Sequence, residues 1–116
     1  MASGAKSVPP NQTQPWVVKP ASARAKKQWE SAKKSEPDLM LEERARLTQR
    51  PLDRSGNPKR THQLKGELAY KTIGGQKLEQ WQHDLTGSGR IWYCPNKEDR
   101  VIWVTRVSLS HPRETG

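Results

Sequence analysis

Two hydrophobic periods divide this chain of 116 residues, a helical one before Arg50 and an alternating one after Gln63. Trp16-Val17-Val18-Lys19 is a short apolar run between Pro15 and Pro20. It predicts a short strand, because proline brings no N–H to a ladder. From Ser22 onward, Ala25, Trp29 and Ala32 recur at helical spacing while Arg24, Lys27 and Lys34 fall on other faces. This predicts a helix to about Lys34 with Ser22 as its cap. Ser35-Glu36-Pro37-Asp38 reads as a second helix start, with Ser35 as cap, an early proline, and Asp38 placed to favour the helix dipole. Met40, Leu41, Arg44, Ala45, Leu47 and Thr48 form the expected inner stripe of that helix. It ends at Arg50, because Pro51 disfavours helical geometry in the residue before it. Residues 51–63, with Pro51, Gly56, Pro58 and several charges, predict a loop.

The remainder predicts strands over 64–73, 78–85, 90–94 and 101–109, with turns at Gly74-Gly75 and Gly87-Ser88-Gly89. Residues 1–14 hold almost nothing to bury and are expected to be a disordered lead-in to a domain spanning 15–116. The expected fold is α+β, with two N-terminal helices packed on one face of a small, mainly antiparallel sheet.

Composition narrows the core. Only 31% of the residues are hydrophobic and Phe is absent, so five Trp must supply much of the apolar area. Each can bury roughly 150–250 Å², which makes Trp16, Trp29, Trp81, Trp92 and Trp103 core candidates. The net charge is +9 and the pI about 10.1, which favours an anionic partner. Residues 1–35 carry seven Lys/Arg against one acid, and residues 51–77 carry six against two. No basic amphipathic helix with a wide apolar face is present, which argues against membrane binding. No apolar run approaches a membrane span and no secretory leader is legible at the N-terminus, so a cytoplasmic location is expected. The single Cys94 cannot form an internal disulfide and reads as a half-buried strand thiol.

Nucleotide-binding loops, a serine nucleophile elbow and His pairs at metal-ligand spacing are all absent. A metal site built from His62, His83 and His111 would require three distant segments to meet, so none is expected. What remains is a set of cations and imidazoles on or beside the C-terminal strands: Lys65, Lys71, His83, Arg90, Arg106, His111 and Arg113. Such a set can cleave RNA, because the substrate brings its own nucleophile, the ribose 2′-OH. The protein then supplies a base, an acid for the departing 5′ oxygen, and cations for the charge building on phosphorus. Histidine suits the proton transfers and arginine the phosphate. The candidate catalytic residues are Arg90, His111, Arg113 and His83. Lys65, Lys71, Lys26, Lys27 and Arg106 are candidates for gripping RNA. Each has a plainer reading, as a solvated hairpin arginine, a surface terminus or a half-buried strand histidine.

The element order resembles that of the RelE/ParE superfamily of bacterial toxins, RelE-like branch. The motifs carrying the resemblance are Leu64-Lys65-Gly66-Glu67-Leu68, Gly89-Arg90-Ile91-Trp92-Tyr93, Val101-Ile102-Trp103-Val104 and His111-Pro112-Arg113-Glu114-Thr115. The resemblance implies the toxin of a type II toxin–antitoxin pair that cuts mRNA, typically in the ribosomal decoding site, with no cofactor. It also implies two partners, a cognate antitoxin and the ribosome with its mRNA. In that family an arginine preceded by tyrosine contacts the scissile phosphate; the matching position is Arg90, preceded here by Gly89. Many RelE-like chains end in a tyrosine beyond the last strand, and this chain does not. Two other readings stay open: a ParE-like inhibitor of DNA gyrase, and a basic RNA- or DNA-binding module without catalysis.

Overall fold

The computed structural model describes residues 15–55, 58–85 and 87–109. The expected lead-in, 1–14, and both His111 and Arg113 lie outside these residues. Strand β1 is Val17–Pro20, helix α1 is Ala23–Ser35 and helix α2 is Pro37–Gln49. A 3-10 turn at Pro58–Arg60 leads into β2, Thr61–Gln63, and a second at Gly66–Leu68 leads into β3, Tyr70–Ile73. The remaining strands are β4 (Gln76–Glu79), β5 (Trp81–Asp84), β6 (Arg90–Asn96) and β7 (Val101–Ser108). The main sheet has the order β1-β7-β6-β5-β2, and β3-β4 is a separate hairpin. Among the described strands only β1 with β7 is parallel; the other pairs are antiparallel. The fold is therefore α+β with two N-terminal helices on a mainly antiparallel sheet, as expected.

Several expectations are corrected in detail. Ser22 caps α1 as read, its hydroxyl accepting from the Ala25 N–H at 3.0 Å. Ser35 does not cap α2. It is the last residue of α1, and Glu36 takes the cap position with no side-chain bond, because a proline at the first helical position fixes the boundary one residue before itself. The inner face of α2 is Met40, Glu43 and Leu47. Leu41 is 69% exposed, and Arg44 and Ala45 are exposed as well. The region 51–63 is not all loop, since it ends in the edge strand β2. The run 64–73 yields only the four residues of β3, and 78–85 breaks at Gln80 into two strands that belong to different sheets.

Ala25, Trp29 and Ala32 of α1 join Met40 and Leu47 of α2 against Ile91, Tyr93, Ile102, Val104 and Val107. Trp16 and Trp29 are the two buried tryptophans, whereas Trp81, Trp92 and Trp103 are half-buried. Cys94 is fully buried rather than half-buried, and burial pushes its thiol up to about 12, so it is chemically quiet. Gly89 lets the β5–β6 turn approach the end of β7. A Cβ there would stand 3.1 Å from the Ser108 carbonyl oxygen and 3.3 Å from the Leu109 Cα. Gly89→Ala is expected to destabilise by about 1–2 kcal/mol through this crowding, measurable by urea denaturation. No helix among the described residues is long and apolar enough to cross a membrane.

Candidate nucleic-acid interface

A single irregularity in the sheet creates the site. Strict alternation along β7 would send Ile102, Val104 and Arg106 to the core. Instead the register jumps: Trp92 pairs with Arg106, but Tyr93 pairs with Val104. Thr105 is the extra residue, and such a bulge re-aims the side chains beyond it. Ile102, Val104 and Val107 consequently face the helices and are buried, while Arg106 is exposed on the opposite face.

That opposite face carries a row across four strands, with His62 paired to Gln82, Gln82 to Trp92, and Trp92 to Arg106. The Trp92 indole N–H donates to Gln82 Oε1 at 2.8 Å, and Gln82 Nε2 donates to Asp84 Oδ1 at 2.8 Å. The Arg106 guanidinium lies over the Trp92 ring, 5.2 Å from its centroid. Around this pair is an open cleft of about 310 Å³ lined by Arg24, Gln28, Leu68, Lys71, Gln80 and Thr105 among others. Its charged lining is Arg24, Lys71 and Arg106, with no carboxylate. Arg24 stands in the first turn of α1, which holds no acid, so the positive end of the helix dipole adds to the cationic field.

Both walls are tied down. Gln28 Oε1 accepts from the Val107 N–H at 2.9 Å, which fixes α1 to β7 beyond the end of β1. Gln80 Oε1 accepts from the Thr105 hydroxyl at 2.5 Å while its Nε2 donates to the Leu68 carbonyl at 2.8 Å. Gln80 thus links the bulge to the segment that leads into β3.

The structure separates the candidate residues of the sequence. Lys71 and Arg106 line the cleft together. Arg90 is exposed on the same face, paired with Ser108, a diagonal neighbour of Arg106 at about 7–8 Å between Cα atoms. Lys65 is exposed ahead of the 3-10 turn and is not part of the lining. The α1 cations diverge: Lys26 enters a groove with Trp29, Lys33 and Arg44, and Lys27 one with Val107 and Leu109. Two contributors escaped the sequence reading. Arg24 was placed merely off the apolar face, and Trp92 was taken for core. The usable signal was alternation, because Trp92 lies two residues from Arg90 and so shares its face.

His83 is on the wrong side of the sheet for this cleft. It pairs with buried Ile91 and faces the helices. Nδ1 lies 2.7 Å from the Thr61 hydroxyl oxygen and Nε2 3.7 Å from Glu43 Oε1. A neutral ring protonated at Nε2 accepts from the Thr61 hydroxyl at Nδ1 and turns its N–H toward the Glu43 carboxylate without a direct hydrogen bond. Burial, reinforced by the charges of Arg46 and Arg60, lowers its pKa to about 4. The structure thus places His83 in the core's polar wiring and not in the cleft. Because the folded pKa lies below the unfolded one, the unfolded chain takes up the proton first as pH falls. Stability from His83 is therefore whole above pH 6.5 and lost down to about pH 4, by roughly 2–3 kcal/mol. His83→Asn is expected to flatten urea-unfolding stability over that pH window relative to the unaltered chain.

Among the described residues no group of three or more His, Cys, Asp or Glu side chains is placed to hold a metal ion. Among the described residues the nearest imidazole to the cleft on the open face is His62, two strands and so about 10 Å from Trp92. No family model, curated protein or solved structure matches this chain.

Proposed function

We propose that the chain is a RelE-like toxin that binds single-stranded mRNA on the open face of its sheet and cleaves it on the ribosome. The observation that carries this reading is the bulge-turned Arg106, gathered with Lys71 and Arg24 around Trp92 in a cleft without carboxylates. Such a cleft suits a polyanion whose bases are exposed. In the reaction, the ribose 2′-oxygen attacks the adjacent phosphorus as its proton passes to a base. The P–O5′ bond breaks and an acid protonates the departing oxygen, leaving a 2′,3′-cyclic phosphate and a 5′-hydroxyl. Arg106, Lys71 and Arg90 donate to the phosphoryl oxygens as charge accumulates there. Proton transfer is assigned to His111, and Arg113 joins the phosphate contacts, on the strength of the sequence motif. The reaction requires no metal to make its nucleophile. An acidic segment of a cognate antitoxin would silence the protein by filling the same cleft.

Induction in cells with mapping of mRNA 5′ ends tests the proposal. New cuts in phase with codons are expected, and they should vanish in Arg90→Ala and His111→Ala chains. DNA damage without cuts would move the assignment to gyrase inhibition. A binding module without catalysis is the second reading, favoured by the lack of an imidazole in the described part of the cleft. It requires that the chain bind RNA and leave it intact.

A further inference from the structure

Resting on that reading and deepening it, we infer that Trp92 and Arg106 form a stacking platform for one unpaired RNA base. The platform accepts the base without reading its hydrogen-bonding edge. Trp92 stands in the central strand β6, on the face that the helices do not cover, and is half-buried there. Its ring is held in place from one side by the 2.8 Å bond to Gln82, which Asp84 in turn anchors at 2.8 Å. Arg106 lies against the ring itself, 5.2 Å from its centroid. A Trp92 ring braced by its bond to Gln82, with the Arg106 guanidinium 5.2 Å from its centroid, offers an aromatic, cationic surface before any ligand arrives. Base π-faces stack on both kinds of group.

The cleft's size and charge fit this occupant. At about 310 Å³ it stands at the lower end of the roughly 300–1,000 Å³ usual for small-ligand sites. That is room for a nucleotide rather than a duplex. Arg24 and Lys71, on the α1 and hairpin sides, are placed to take phosphates flanking the stacked base.

The lack of base reading follows from the amides. Gln80 has its oxygen committed to Thr105 and its nitrogen to Leu68, and Gln82 has its oxygen committed to Trp92 and its nitrogen to Asp84. Gln80 and Gln82 therefore hold the protein together, and Gln28, the third carboxamide at the cleft, has its oxygen committed to the Val107 N–H. Stacking is indifferent to base identity because every base has a π-face.

The test compares three ligands at one low salt concentration by fluorescence anisotropy: a labelled short oligouridylate, an abasic RNA backbone of equal length, and inorganic polyphosphate as competitor. The unaltered chain is expected to bind oligouridylate roughly tenfold more tightly than the abasic backbone. Trp92→Ala should erase that difference while polyphosphate still competes, whereas Trp92→Phe should keep most of it. Oligocytidylate should bind within about threefold of oligouridylate, since stacking alone does not separate them. Equal affinity of the unaltered chain for oligouridylate and the abasic backbone overturns the platform, as does a strong preference between the two pyrimidines. The comparison on the unaltered chain decides the matter even if Trp92→Ala fails to fold. If abasic RNA and polyphosphate bind but bases add nothing, the cationic cleft stands and only the platform falls. If no polyanion binds, the proposed function falls with it.

Discussion

Arg106→Ala is expected to slow RNA cleavage by two to three orders of magnitude while the protein stays folded. Removing one preorganised donor from a developing oxyanion typically costs about 10²–10³ in rate. Arg106 also holds one side of the Trp92 platform. The side chain is exposed and has no carboxylate partner among the described residues, so its loss should change stability by less than about 1 kcal/mol. Arg106→Lys keeps the charge but not the planar two-donor fork, and should retain only part of the rate. Primer extension on mRNA held by ribosomes measures the rates, and thermal unfolding followed by circular dichroism checks the fold. An Arg106→Ala chain that cuts as fast as the unaltered one would remove this residue from the mechanism.

The second large effect lies on the other side of the sheet. Glu43 is 4% exposed and is bound by Arg46 through Nε at 3.0 Å and a terminal nitrogen at 2.8 Å. Burial raises the Glu43 pKa, and the Arg46 guanidinium opposes that rise. Arg46 also reaches the Pro51 carbonyl at 3.3 Å, and the Tyr93 hydroxyl donates to the same carbonyl at 2.6 Å. The network ties α2, the segment after it and the centre of β6 into one unit. Arg46→Ala leaves a buried carboxylate without its counter-charge, at a cost of about 3–5 kcal/mol. Against the lower end of the usual total stability of about 5–15 kcal/mol, that removes most of the folding free energy. Pairing it with Glu43→Leu removes the stranded charge and should restore most of the loss. Urea midpoints for the two single variants and the double variant check this, and additive losses would show that the pair does not act as a unit.

The parts of the fold set by local chemistry were legible in the sequence. Ser22 announced its cap, Pro51 ended α2 and Gly74-Gly75 turned the hairpin, each through backbone restrictions that operate within a few residues. The misreadings come from nonlocal causes. Thr61-His62-Gln63 has no apolar alternation, and it becomes strand β2 only because β5 offers an edge. Gln80 interrupts a continuous strand pattern because its amide is needed at Thr105 and Leu68. Glu43 looks like surface until Arg46, three residues on, is seen to accompany it inward.

The candidate site was half legible. Lys71, Arg90 and Arg106 were chosen by chemical type; Arg90 and Arg106 stand on the open face, and Lys71 lines the cleft from the β3–β4 hairpin. His83 was chosen by the same criterion and lies in the core, because alternation assigns it to the face of Ile91. Trp92 was missed for the converse reason: aromatic content suggests burial, but the face on which a residue lies depends on register. The bulge at Thr105, which decides where Arg106 points, is visible only once β6 and β7 are paired.

The central claim is that single-stranded RNA sits in the cleft around Trp92, on the sheet face opposite the core and beside the start of α1. Titration of isotope-labelled protein with a short oligouridylate, followed by backbone and side-chain NMR shifts, tests it most directly. The largest changes should fall on Arg24, Lys71, Arg90, the Trp92 indole and Arg106, with Trp29 and Met40 unmoved. Changes centred on the helical groove of Trp29, Lys33 and Arg44, with Trp92 and Arg106 silent, would contradict it.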